Sequence, residues 1–242
     1  MSSREFGGRP QLSDNVARFV RSRIFDGTYA AGTYIRLDQL AAELGISVTP
    51  VREGLLVLRA EGLVEQQPHR GFVVLAVTER DLTDVSDVQA YVGGELAARA
   101  AGNLTEAQLV ELNDIQTQLE AAYTAGDADR IERLNHEFHR AINLAADSPK
   151  LAQLMSQITR YAPESVFPMI CEWPDRAVHY HRKVLAALER RDTAAARDAM
   201  AEHLAVGVTP LIEHLVKLGV IATPETGPHS SDGSGIAQPV EG

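Results

Sequence analysis

Residues 37–71 read LDQLAAELGISVTPVREGLLVLRAEGLVEQQPHRG, and this stretch decides the fold. Leu37, Leu40, Ala41 and Leu44 recur at the spacing of one helical face, and Gly45 supplies a stop. Ser47 is a residue type that caps a second helix, and Pro50 suits a first turn, where its missing N–H costs little. Val51, Leu55 and Leu58 form the apolar stripe of that helix, so Arg52 and Glu53 face outward. Two short helices joined by a tight glycine turn make a helix-turn-helix. Beyond Gly62, the stretches Leu63 to Glu65 and Phe72 to Val74 read as short strands, with residues 66–71 as the tip of a hairpin between them. The unit is a winged helix-turn-helix with a small β-hairpin wing. By pattern alone, a plain helical hairpin that only packs would fit almost as well.

Working outward, Ser13 can cap a supporting helix that carries Val16, Phe19, Val20 and Ile24 and ends at Gly27. Residues 1–10 are polar and read as a flexible arm, and Ala30 to Ile35 as a loop or short strand. The winged domain is expected over residues 11–77. A helical domain follows over 78–221, and a Gly-, Ser- and Pro-rich tail over 222–242 should be disordered. Thr78 and Asp81 make a start resembling a capping box. The expected stripes are Leu82, Val85, Val88, Val92 and Leu96; then Leu109, Leu112, Ile115 and Leu119, after a cap at Thr105; then Ile131, Leu134, Phe138 and Ile142. After Ser148-Pro149 come Leu151, Leu154, Ile158 and Tyr161, then an irregular connection over 162–174. His181, Val184, Leu185 and Leu188 mark a fifth helix, and Asp192 or Thr193 starts a sixth that carries Ala196, Met200, His203, Leu204, Val208, Leu211 and Leu215. The fold class is therefore mainly α: a winged helix-turn-helix followed by an antiparallel all-helical bundle of six helices.

The net charge of −10 argues superficially against a nucleic-acid partner. Split by domain, the argument reverses. Residues 1–78 hold nine Arg and no Lys against eight acidic residues, whereas the rest holds 14 basic and 25 acidic residues. The acidity belongs to the helical part, which DNA would repel, and the winged part carries only Arg, the better residue for bidentate contacts. No run approaches the ~20 apolar residues of a membrane span. The first ten residues lack an apolar h-region, so no signal peptide is expected. Cys171 is the single cysteine, which forbids an intrachain disulfide and suits a cytoplasmic protein.

The string LAAELGISVTPVREGLLVLRAEGLVEQQPHRGFVV, from Leu40 to Val74, closely resembles the DNA-binding domain of the GntR family of bacterial transcription regulators. It departs from that family's pattern at Val48, where an Arg that reaches DNA is usual, and at Gly54, where Ala is usual. On bare propensity, Gly54 should weaken its helix by roughly 1 kcal/mol. The resemblance implies a DNA surface built from Arg36, Ser47, Thr49, Pro50, Arg52 and Glu53, with His69, Arg70 and Gly71 at the wing tip. Arg36, Ser47 and Thr49 are placed to hold phosphates, and Arg52 to read a base.

Eight histidines are present. His139 follows Asn135 by four residues, so the two share a helical face. His181 and His203 stand on or beside apolar stripes, whereas His136 and His179 should point elsewhere. Three inward imidazoles could hold a divalent metal, although each alone reads more readily as a satisfied or half-exposed histidine than as a ligand. The strings NHEFHRAINLAADSP and HRKVLAALERRDTAAARDAMAEHL resemble the FCD ligand-binding domain of the FadR subfamily, and six helices suggest its VanR-like branch. That resemblance implies a metal site at Asn135, His139, His181 and His203, with Asn135 standing where the family has Asp. Zn or Ni would suit three imidazoles. The family's usual carboxylate-holding Arg is replaced by Ala90.

The reading is a DNA-binding, metabolite-responsive repressor. Its partners would be double-stranded DNA with an inverted-repeat operator, a second copy of the chain, and a small effector such as an organic or sugar acid whose contact residues the sequence does not name. The sequence holds no phosphate-binding glycine loop, nucleophile elbow or CxxC pair. An enzyme is not expected; the alternative would be a metal-dependent helical enzyme with an accessory winged domain.

Overall fold

The computed structural model describes residues 9–68, 70–161 and 173–221. Helix α1 (Arg9–Phe25) leads to a two-residue strand β1 (Tyr34–Ile35) and the pair α2 (Leu37–Leu44) and α3 (Val48–Ala60). Strands β2 (Val64–Gln67) and β3 (Gly71–Val74) form the wing. Seven helices follow: α4 (Glu79–Asn103), α5 (Glu106–Ala125), α6 (Ala128–Ala145), α7 (Pro149–Ile158), α8 (Trp173–Glu189), α9 (Thr193–Ala205) and α10 (Val208–Lys217). The expected irregular stretch falls largely on 162–172, and the expected tail on 222–242. Both lie outside the described residues, as do most of the expected arm and His69.

In the winged domain the stripe holds: Val51, Leu55 and Leu58 are fully buried, packed with Val16, Val20 and Ile24 of α1. Gly45 ends α2 in the left-handed conformation, its N–H bonded back to the helix. Three details differ from expectation. Helix α1 begins at Arg9, a turn ahead of Ser13, so the end of the expected arm is helical. Ser47 holds the N-cap position of α3 with extended backbone, but its hydroxyl makes no capping bond. The wing is not a bare hairpin either. β1 adds to it antiparallel, in the order β1-β3-β2, with Ile35 opposite Phe72. Gly71 makes that third strand feasible: its φ is 95°, and a Cβ there would sit 2.5 Å from the Ile35 carbonyl oxygen.

Gly54 has a packing reason that propensity does not show. A Cβ on it would lie 2.8 Å from the Ser13 carbonyl oxygen and 2.9 Å from Val16. The glycine lets α1 press against α3, and Arg21 ties the two ends together by donating two bonds to Glu61, from Nε at 3.1 Å and Nη2 at 2.6 Å. Gly54→Ala should therefore destabilise the winged domain by about 1–3 kcal/mol, the cost of overpacking, instead of gaining the ~1 kcal/mol of helix propensity. Denaturant melts of the two chains decide it, and a more stable variant would refute this account.

In the bundle, Thr78 and Asp81 close a reciprocal capping box at 2.9 and 3.1 Å, as do Thr105 and Gln108 at α5. The α5 and α6 stripes are buried as expected. Val88 and Leu154 are not; each is 49% exposed, so the apolar faces of α4 and α7 are narrower than the spacing suggests. The sixth expected helix is two, because the chain breaks between α9 and α10 at Val206 and Gly207. The helix count that suggested a VanR-like branch is thus seven among the described residues, not six. Helix α9 lies hard against α4: a Cβ on Gly93 would fall 2.3 Å from Leu204 Cδ1, and one on Gly94 would fall 3.0 Å from the Arg197 carbonyl oxygen. That crossing fixes the depth at which His203, next to Leu204, enters the bundle.

Candidate metal centre and nucleic-acid interface

Three helices deliver one imidazole each to a single point. His139 comes from α6, beside the fully buried Phe138; His181 comes from α8, and His203 from the last turn of α9. His181 and His203 are 0% and 4% exposed, while His139 is half-buried. His203 Nε2 lies 3.2 Å from His181 Nε2 and 3.2 Å from His139 Nε2. The His181 ring stacks on Phe138 with centroids 4.2 Å apart, which fixes its plane. These three are a group whose nitrogens stand close enough to share one ion. Asn135 is half-buried one turn before His139 on α6. His136 and His179 are exposed, as expected.

The tautomer of His181 follows from its neighbours. Gln116, itself 0% exposed on α5, places Oε1 2.8 Å from His181 Nδ1. Its Nε2 donates at 2.9 Å to Glu120 Oε1, which also accepts from Arg182 Nε at 2.6 Å. A carboxylate oxygen only accepts, so the Gln116 amide must turn its oxygen to His181. His181 therefore carries its proton on Nδ1 and aims a lone pair from Nε2 at the other two rings. The hydrogen bond from Arg182 holds the Glu120 carboxyl below its usual range, so the chain from surface to ring keeps its polarity at neutral pH. Spacing did not single out Gln116, yet it carried a signal: it is a polar residue lying four after Leu112 and three before Leu119, on a buried stripe.

Burial pushes the His139 imidazole down to about 4, and burial together with the neighbouring imidazoles pushes His181 and His203 well below 6.5. The three rings are neutral at pH 7, the form that ligates metal. Gln116→Leu should leave the fold intact and cost about 10–100-fold in metal affinity, the usual effect of losing an outer hydrogen bond. Competition against a chromophoric chelator measures it, and unchanged affinity would remove Gln116 from the site.

Glu137 pairs with Arg133 at 3.2 Å, Glu95 with Arg197 at 2.6 Å, and Arg99 donates to the Ser148 hydroxyl at 2.7 Å. A groove of about 240 Å³ between α5 and α6 is lined by Leu104, Ile115, Glu137, Arg140 and Leu144 among others. It contains none of the three histidines, so its chemistry does not point to a metal-assisted site.

The expected DNA surface divides in two. Arg36, Ser47, Thr49, Arg52, Glu53 and Arg70 are exposed, and among the described residues neither Arg36 nor Arg52 has an ion-pair partner. Val48 is 39% exposed at the first position of α3. Pro50 is buried, so it shapes the turn instead of meeting a partner. Gly71 is half-buried and serves the sheet, as described above.

Residues 12–74 match the family "Bacterial regulatory proteins, gntR family", and residues 84–206 match the FCD domain. The chain belongs to the GntR family. Its order of winged domain, then FCD domain, is that of GntR-family regulators with an effector-binding half, so it is a DNA-binding transcription regulator and not an enzyme. Among curated relatives it is 29% identical over 198 residues to the Escherichia coli HTH-type transcriptional regulator McbR, covering 79% of this chain and 88% of that protein. It is 28% identical over 198 residues to a probable D-xylose utilization operon transcriptional repressor of Paenarthrobacter nicotinovorans, covering 81% and 87%. The solved structure of E. coli McbR/YncC superposes with a TM-score of 0.67 at 26% identity, over 84% of this chain and 97% of that one. Among the described residues no helix is long and apolar enough to cross a membrane.

Proposed function

We infer that this regulator is a cytoplasmic homodimeric repressor that binds an inverted-repeat operator and responds to a small organic or sugar acid held beside a divalent metal. The observation that carries the metal is the meeting of three Nε2 atoms, two pairs of them 3.2 Å apart, on two buried imidazoles and one half-buried one. His181 presents a bare lone pair there, a divalent cation can join it to lone pairs of the other two rings, and burial works against an imidazolium in that place. Tetrahedral bonds of about 2.0–2.1 Å place neighbouring nitrogens about 3.3 Å apart, so the donor set fits Zn or Ni with little movement. His139, His181 and His203 would hold the ion, with Asn135 as a weaker fourth ligand. When bound, the ion supplies positive charge that draws a carboxylate, the role that an Arg at the position of Ala90 would otherwise fill. A relative named for D-xylose utilization makes sugar acids fitting first probes.

The dimer follows from size. One winged domain contacts too few base pairs for useful specificity, and two-fold sites mirror two-fold proteins. The test is one experiment on protein purified without a His tag. Metal content is measured, oligomeric state is read by light scattering, and gel shifts on the DNA beside its own gene are run with and without candidate acids. The reading expects one ion per chain, a dimer, and an operator complex that an acid dissociates. A monomer with full operator binding would overturn the dimer, and metal-free protein that takes up neither Zn²⁺ nor Ni²⁺ would overturn the site.

A further inference from the structure

Helix α10 lies beyond residue 206, outside both family matches. Its apolar side is nonetheless not spent on the bundle core. Leu211, Leu215 and Ile221, at 3%, 0% and 3% exposure, belong to the same buried cluster as Val16, Val20, Ile24 and Phe25 of α1. The end of α10 is shaped for this. Gly219, at φ 72°, closes it with bonds from its own N–H to the Val216 carbonyl and from the Val220 N–H to the Leu215 carbonyl, a Schellman turn that folds Val220 and Ile221 back. There the chain meets the turn that follows α1: a Cβ on Gly27 would stand 3.4 Å from the Leu218 carbonyl oxygen and 3.5 Å from Val220 Cγ2. Phe25 of α1 meets Tyr161, just past α7, edge to face at 6.5 Å, so the joint is packed from both domains.

The other end of α10 leads straight to the metal centre. His203 is in the last turn of α9, and only Val206 and Gly207 separate the two helices. Both residues keep right-handed helical backbone, with φ −69° and ψ −15° at Val206 and φ −75° and ψ −22° at Gly207. The Leu211 N–H bonds to the Gly207 carbonyl at 3.2 Å. The joint is therefore a stiff elbow, not a slack linker. A second rigid connection runs through α8, where Ala177, 1% exposed in the winged-domain cluster, stands one turn before His181.

We propose that α10 is a built-in part of the DNA-binding domain's core and that, with α8, it carries the state of the His139–His181–His203 centre to α1. Ligation draws His181 and His203 toward one point, which fixes α8 against α9. Because α8, at Ala177, and α10, joined to α9 by the elbow, both pack into the winged core, the same event fixes how that core sits. An effector that changes ligation would then change the presentation of α3 to DNA, which is a coupling between two sites through elements that both touch. The transmission rests on the metal reading above; the seating of α10 does not.

Hydrogen exchange on the full chain, with Zn²⁺ alone as the probe, tests both parts. The expected result is that Zn²⁺ slows amides of α1 and α10 together with those of α8 and α9, by about tenfold, the size of ordinary site-to-site coupling. Protection confined to α5, α6, α8 and α9 would overturn the transmission. Two variants separate the parts. Inserting two glycines between Val206 and Gly207 should leave Zn²⁺ uptake unchanged but abolish the response of α10 and weaken that of α1; a full response would overturn the route through the elbow. Leu215→Val should speed exchange in α1 without metal present, and no change there would overturn the seating. If Zn²⁺ does not bind at all, the metal reading fails and the transmission with it, while the Leu215→Val result still decides the seating.

Discussion

Replacing His203 with Ala is expected to release the metal. His203 is the middle member of the cluster, 3.2 Å from each of the other two Nε2 atoms, whereas His181 has Gln116 to hold its far side. Without it, one ring from α6 and one from α8 remain, and nothing on α9 replaces the third. The loss should exceed the about 10–100-fold that an outer-shell change costs, because a ligand is removed and not merely reoriented. The thermal readout is large as well. Zn²⁺ at about 100 times its Kd stabilises the native state by about 2.7 kcal/mol, which for a chain of this size is roughly 5–10 °C in melting temperature. Wild type should show that rise, and His203→Ala should show none while melting near the metal-free wild type. A variant that keeps its metal through purification, or that still gains stability from Zn²⁺, would remove His203 from the centre and leave the convergence of the rings as mere packing.

The parts of this fold that could be read from the chain are those set by local rules. The stripe of α3, the stop at Gly45 and the box at Thr78 each depend on residues within a few positions of one another, and the structure reproduces them. What could not be read depends on partners distant in sequence. Ser47 looks like a cap by type, but its hydroxyl is left outside the helix. Gly54 looks like a defect until α1 is brought within 3 Å of it. Val88 has the right spacing for the core, yet it faces outward beside Tyr91, which is 72% exposed. The histidines fall between these cases. Spacing placed each on an inner face, but their meeting at one point needed the crossing of α4 and α9, which Gly93 and Gly94 permit. The role of α10 was invisible because its stripe continues that of α9, and only the bend at Gly207 sends it toward a different core.

The second large effect should be seen at Arg52. It lies one turn after Val48 on the exposed face of α3, opposite the buried Val51, Leu55 and Leu58, so it points where the major groove would lie if α3 enters DNA. Among the described residues no carboxylate pairs with it, so its guanidinium is not already engaged by Glu43 or Glu53. If Arg52 reads a base, it would pair bidentately with a guanine edge, and truncating it to Ala should cost about 1–3 kcal/mol per half-site, or about 5–150-fold in affinity. In a dimer on an inverted repeat both half-sites are without that guanidinium, and for well-separated sites the free energies nearly add. Arg36→Ala is the control, since removing a phosphate-binding charge there should lower affinity on all sequences alike and reduce the salt slope by about one. Arg52→Ala should instead narrow the gap between the operator and random DNA at fixed salt. If its operator affinity is unchanged, or falls only in step with that for random DNA, Arg52 holds a phosphate and base reading must be sought elsewhere on α3, beginning with the exposed Val48.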